Sequence, residues 1–348
     1  MDLDSGEIYF IREQVGGEYT EFTKIGKVAE RPGRSSLDRA KEHQTGNPRP
    51  LVPIKVVQTA FVSEVENTLH REFAPKRILP GEWFILNAAE IANAIARCGE
   101  LSAANAQLIP LFEQADALKS TASGAELAPA TDEATTWATA YRRARHGLKL
   151  FAETKEQFQD YLVEAYSRGV DVADFVEIGQ AAGRRSYREL FEQRYPELVA
   201  KYTSTTTEMS GSLTVKSVRN EDYSLDGGLV EVVTLTDSLM QLINDSSDQR
   251  DEIIKMHSIY LSLLSVEPLL EKRKEVAKAH IMLLCGESAG IEELCAWRRE
   301  PRDVIKIDWD TIKSTYPAEV AACTTFGDPT PRVRIKRGSG YGYTDEEA

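Results

Sequence analysis

The chain has 348 residues, 42% of them hydrophobic and 28% charged, with a net charge of -13. That length and balance exclude wholesale disorder and predict two or three globular domains with a sizeable core. The acidity excludes a protein that coats nucleic acid over its whole surface, but it leaves room for a local basic face.

Residues 6 to 12 read as a strand, with apolar and aromatic residues bounded by Gly6 and Gly16-Gly17, and residues 21 to 28 read as its hairpin partner. Arg31-Pro32-Gly33-Arg34 is a turn. Ser36 predicts the N-cap of a helix through Gln44, with Arg39 and His43 four apart on one face. Gly46-Asn47-Pro48 stops it, and residues 51 to 60 form a third strand. Ser63 predicts the cap of a helix to Phe73, with Glu66 at the capping-box position and His70 one turn later. Gly81 precedes a short strand from Glu82 to Leu86, and Asn87 caps a helix ending near Cys98. The order ββαβαβα makes residues 1–100 a small mixed domain of α+β class, followed by mainly helical domains.

Residues 101–136 are expected to continue as helix and end in a linker rich in Ala, Ser, Thr, Gly and Pro. Residues 137–203 predict a compact helical domain broken at Gly169, Gly183 and Pro196. Its runs Tyr141-Arg142-Arg143 and Gly183-Arg184-Arg185 could contact DNA phosphates, and Asp171 to Tyr195 allows a helix-turn-helix. A second linker spans 203–212. Residues 213–320 predict a hairpin, from Leu213 to Val218 and Leu229 to Leu235, followed by long apolar helices suited to a core or a homo-oligomer interface. Residues 321–348 are expected to be a mobile tail. No internal repeat is evident. Cys98, Cys285, Cys295 and Cys323 make no C-x-x-C pair, so buried reduced thiols are expected. The acidic N-terminus is no secretory signal and no apolar run reads as a membrane span, so no membrane partner and a cytoplasmic location are expected.

The chemistry-bearing residues gather between 7 and 86. Cleaving a phosphodiester needs an activated nucleophile, charge neutralisation at phosphate and help for the leaving oxygen. Glu66 could hold a divalent cation, although its spacing from Ser63 equally fits a cap. An Arg39 fork could grip phosphate and His43 could move a proton, although both also suit a solvated helix face. Tyr9 on a strand is usually core, with its hydroxyl finding one partner. Lys24 stands mid-strand before Ile25-Gly26, where glycine leaves room for a close approach. Lys24, Lys27, Arg31, Arg34, Arg39 and Lys41 form a basic run, suited to a phosphate backbone or to plain solvation. His70 joins the candidate nucleic-acid contacts. A zinc site from His43, Glu66 and His70 is the metal alternative.

In their joint order these residues resemble the GIY-YIG nuclease superfamily, closest to its T5orf172/Mug113-like branch, over about a quarter of the chain. Ile8-Tyr9 stands for the first signature, with Glu7 in place of its leading glycine. Lys24-Ile25-Gly26 stands for the second, with lysine in place of tyrosine. Arg39 with His43 matches the arginine helix, Glu66 in Glu-x-x-Leu-His the metal-binding glutamate, and Gly81-Glu82-Trp83-Phe84 the closing strand. The resemblance implies an endonuclease that hydrolyses DNA with one Mg²⁺ or Mn²⁺ ion on Glu66, RNA not being excluded. It implies that Arg39 stabilises charge at phosphorus and that Tyr9 orients or deprotonates water. The base remains open among Tyr9, Lys24 and His43. A role in defence against, or mobility of, foreign DNA goes with such modules. The alternatives are a catalytically inactive nucleic-acid-binding regulator and an assembly subunit.

Overall fold

The computed structural model describes residues 3–30, 35–45, 48–78, 82–181, 183, 185–219 and 227–336. The chain is α+β. A five-stranded antiparallel sheet comes first, and long helices with a small three-stranded sheet and two-stranded ribbons follow.

Strand β1 (Gly6–Val15) lies between β2 (Glu18–Ala29) and β3 (Leu51–Thr59), antiparallel to both. Its Ile8, Tyr9, Phe10 and Ile11 are all buried, as a strand covered on both faces requires. Ile8 and Phe10 pack with one set of helices, whereas Tyr9 and Ile11 pack on the opposite face. Gly16 and Gly17 join β1 to β2 at φ 62° and 89°. Two residues at positive φ match the twist of a tight hairpin, which glycine supplies without strain.

Helix α1 (Ser36–Gln44) covers the Tyr9 face through Ala40. Its N-cap is Ser35 rather than Ser36, in a reciprocal capping box with Asp38. The Glu7 carboxylate on β1 accepts from the Ser36 amide at 2.8 Å, so α1 hangs from the sheet by its first turn. Helix α2 (Val62–Glu72) corrects the expected cap at Ser63. Its N-cap is Phe61, in the left-handed region at φ 53°, with no side-chain cap. The early amides are taken instead by Leu3 and Asp4, including the Asp4 carboxylate on the Ser63 amide at 3.0 Å. Glu66 is therefore not a capping residue. Short strands β4 (Arg77–Ile78) and β5 (Trp83–Ile85) complete the order β3-β1-β2-β5-β4. Helix α3 (Ala88–Ala106), capped by Asn87 with Glu90, packs with α2 on the Ile8 face and runs past the end expected near Cys98.

Helix α4 (Ile109–Lys119) is followed by a segment that is not a free linker. Ser123 donates its amide to the Arg299 carbonyl, and Ala128 bridges to Ile291. Residues 137–203, expected as several short helices, begin as part of one 36-residue helix, α5 (Asp132–Ser167). Gly169 does end the helical run, at φ 87°. Strands β6 (Val176–Ala181) and β7 (Arg185–Ser186) then take the place of a helix-turn-helix. Helices α6 (Arg188–Arg194) and α7 (Pro196–Lys201) follow. The expected linker at 203–212 is strand β8 (Thr203–Ser210), because its threonines favour extended backbone once a partner strand is present.

After β9 (Thr214–Val215), residues Leu229 to Leu235 are not a hairpin strand. They lie in helix α8 (Gly227–Asn244), where Leu229, Val232 and Leu239 recur at helical spacing and are buried. Helix α9 (Arg250–Cys285) packs with α5 and α8 around Phe158, Met256 and Tyr260. Contrary to expectation, α9 is long and apolar enough, by length and composition, to cross a membrane. Its buried face here meets protein. Then come β10 (Gly290–Ile291), β11 (Cys295–Ala296), β12 (Glu300–Ile307), α10 (Trp309–Thr315), α11 (Pro317–Cys323), β13 (Thr325–Phe326) and β14 (Thr330–Ile335). The described part of the expected tail is thus paired. Strand β14 runs along β6 and Ile335 is buried.

Although no repeat is evident in the sequence, two short helix pairs are built alike. Helices α6 and α7 meet at Tyr195-Pro196, and α10 and α11 meet at Tyr316-Pro317. The two tyrosines share backbone angles, φ −132° and ψ 53° against φ −124° and ψ 55°. Their amides return to the carbonyls of Phe191 and Ile312, both fully buried in one shared cluster. Strand β8 pairs with β12, β7 with β13 and β6 with β14, so the two helix pairs are held by ribbons that join residues 176–210 to residues 300–335.

Candidate active site

Four elements of the first domain bring the candidates together. Strand β1 supplies Tyr9, β2 supplies Lys24 and Lys27, α1 supplies Arg39 and His43, and α2 supplies Glu66. Tyr9 lies directly opposite Gly26 in the β1–β2 register. A Cβ on Gly26 would sit 2.4 Å from the Tyr9 hydroxyl oxygen and 2.6 Å from Cζ. The glycine of Lys24-Ile25-Gly26 is thus the floor on which the tyrosine ring lies.

The Tyr9 hydroxyl is 3.1 Å from His43 Nε2, with the Arg39 guanidinium close enough to favour its ionised form. Burial drives the Tyr9 hydroxyl far above its ordinary range, and the Glu82 and Glu66 carboxylates outweigh the opposing Arg39 charge. Tyr9 is therefore a protonated phenol at rest. Burial pushes His43 down, and the Lys24 and Arg39 charges push it the same way. Its imidazole is thereby favoured in the neutral form that can accept a proton. Arg39 is partly exposed and also pairs with Glu42 one turn on.

Glu66 lies in a buried corner beside β2. Burial raises its carboxyl above the usual range, with Lys27 opposing and Glu82 reinforcing the rise. Lys27 Nζ is 3.0 Å from Glu66 Oε2 and 2.7 Å from the Ser63 hydroxyl. Lys24 is ion-paired at 2.9 Å with Glu82, and its ammonium lies 5.9 Å from the Trp83 ring centroid. Burial would raise Glu82, but Lys24, His70 and Arg77 together hold it below its ordinary value. Glu82 and the half-buried Arg77 are site residues that the sequence reading did not single out. A glutamate between a glycine and two aromatics was the available signal for Glu82. Arg77 follows Lys76 with no pattern to mark it.

The remaining candidates lie elsewhere. Lys41 is 80% exposed and sits 3.7 Å from Asp38. His70 is buried, with its Nε2 2.8 Å from the Ile25 carbonyl oxygen, so it cannot contact a surface phosphate. Arg31 and Arg34 lie outside the described residues. The zinc alternative fails, because His70 is tied to Ile25 and His43 to Tyr9. Among the described residues no three His, Cys, Asp or Glu side chains gather as ligands.

A single hard cation is a different demand. Mg²⁺ keeps several waters and takes one or two carboxylates together with substrate phosphate. A desolvated carboxylate with a raised pKa gains strongly from a nearby cation, and Glu66 is such a group. The donor set therefore fits one magnesium-type ion at Glu66 and no all-protein cage.

Burial pushes His70 from 6.5 down to about 4, the Ile25 hydrogen bond opposing this. Between those values the unfolded chain binds more protons than the folded one, so stability is full above pH 6.5 and is lost as pH falls to about 4. Urea unfolding across that window should show a loss on the order of 2–3 kcal/mol from this group. His70→Gln, which keeps a donor toward Ile25, should flatten the slope. An unchanged slope would place the acid sensitivity elsewhere.

Residues 6–99 match a family model described as the T5orf172 domain. No curated protein and no solved structure matches the chain. The first domain is thus similar to a domain associated with GIY-YIG-like, nuclease-type proteins.

Proposed function

We propose that the first domain is a metal-dependent endonuclease active site that hydrolyses DNA phosphodiester bonds. The observation that carries this reading is the contact between the Tyr9 hydroxyl, His43 Nε2 and the Arg39 guanidinium, with Glu66 on the adjacent helix. As water attacks phosphorus, its proton passes to the Tyr9 oxygen while the Tyr9 proton passes to neutral His43 Nε2. This concerted transfer avoids a free tyrosinate, which burial makes costly. Arg39 stabilises the tyrosine oxygen and, with its exposed edge, the charge growing on the non-bridging phosphate oxygens. Lys24, 7% exposed and ion-paired with Glu82, acts from within the sheet by holding that carboxylate beside the site. A cation held by Glu66 supplies Lewis-acid charge at the phosphate.

The test is cleavage of plasmid, single-stranded DNA and RNA with and without Mg²⁺. Cutting of DNA that needs Mg²⁺ and falls by about 10²–10³ in Arg39→Ala is expected. Cutting that survives Arg39→Ala would sink the mechanism. One observation favours a second reading, a nucleic-acid-binding regulator without turnover. Lys27 already sits on Glu66 at 3.0 Å, so the carboxylate has a built-in counter-ion. Tight DNA binding with no cleavage on any substrate would favour that reading.

A further inference from the structure

Among the helices that follow the first domain there is a cavity of about 490 Å³, within the size range of small-molecule sites. Its walls come from the α3–α4 junction and from α5, α8 and α9. Leu108, Leu229, Leu269, Leu270 and Val276 supply aliphatic surface, and Trp137 supplies a ring stacked on His280 at 3.8 Å. Three cationic side chains also line it, Arg143, Lys272 and Arg273. Glu64 already balances Lys272, and Arg143 and Arg273 add two further cationic side chains to walls that are otherwise apolar, in a chain of net charge -13. Hollows with walls of this kind give water few hydrogen-bonding partners and favour an apolar guest.

We infer that this cavity binds a small amphipathic anion, with an apolar body in the hollow and one acidic head on Lys272 and Arg273. Lys272 makes the site consequential for the first domain. Its ammonium is 3.1 Å from Glu64 Oε2, a buried carboxylate on α2, the helix that carries Glu66. An acidic head on Lys272 shares the charge that now balances Glu64, so occupancy is coupled to α2. The binding claim does not depend on the hydrolase reading.

The test uses the full chain with anilinonaphthalene sulfonate as reporter and decanoate and decanol as competitors. Saturable binding of one reporter per chain is expected, with energy transfer from tryptophan that falls in Trp137→Phe. Ala140→Phe, which fills the hollow, should weaken reporter binding at least about tenfold while the melting temperature holds. Decanoate should displace the reporter about tenfold better than decanol, and Arg273→Met should erase that preference. Lys272→Met should do the same, but it also unbalances Glu64, so Arg273→Met is the decisive variant. No saturable binding, binding that survives Ala140→Phe, or equal competition by decanol and decanoate would each overturn the inference.

Discussion

The Glu66→Gln protein is expected to cleave DNA about a thousandfold more slowly than its parent and to melt no lower. Glutamine keeps the shape of the side chain but cannot hold a cation, so the charge supplied at phosphate is lost. The stability half of the expectation follows from linkage. Burial raises the Glu66 carboxyl above its ordinary value. A carboxyl raised on folding contributes most below its unfolded value of 4.5, and its ionised form is disfavoured at neutral pH. Replacing it therefore removes a desolvated charge, while Lys27, at 29% exposure, regains water. Residues kept for chemistry show this signature of lost activity without lost stability. A nicking assay and a thermal melt on the same preparation decide it. Full cleavage would remove the metal-holding role, and a melt lowered by many degrees would make Glu66 a packing residue.

Gly26→Ala is expected to cost about 2–3 kcal/mol and to slow cleavage about a hundredfold. The added methyl would press on the Tyr9 ring at 2.4–2.6 Å, closer than real contacts allow. The ring cannot swing outward, because it is 1% exposed under α1 and held to His43. Either strand spacing or ring position must give, and each moves the hydroxyl away from its partners. Gly99→Ala on α3, where no heavy atom lies within 4 Å of the new methyl, is the control and should cost nothing. Denaturation midpoints and single-turnover cleavage of the two variants check the contrast. Equal behaviour would mean that the signature glycine is not the seat of the tyrosine.

The first domain was legible because its signals are local. The run Ile8-Tyr9-Phe10-Ile11, the Gly16-Gly17 turn and the Asn87 cap each announce their element within a few residues. What could not be read were facts decided by distant partners. Ser63 precedes Glu66 by three residues, which matches a capping box, but Asp4 took the cap and left Ser63 to Lys27. Leu229 to Leu235 is rich in β-branched residues, yet packing against α5 and α9 made it helix. Residues 203 to 207, four threonines and a serine, read as linker because their strand partner is about a hundred residues away. The two helix pairs share only a buried apolar position and Tyr-Pro-x-x-Val-Ala, from Tyr195 to Ala200 and from Tyr316 to Ala321, too short a match to mark a repeat in the sequence. Glu82 carries no local signal because its ion pair with Lys24 crosses from β2 to the residue before β5.

The pair of Glu64 with Lys272 also sets an order of events during synthesis. All strands of the first sheet lie within the first 85 residues, so that sheet can close while the rest of the chain is still being made. Glu64 then waits for a counter-ion that arrives 208 residues later. Until α9 is complete, a helix of the candidate site carries an acidic group with its permanent partner missing, and docking of α9 is the step that retires it.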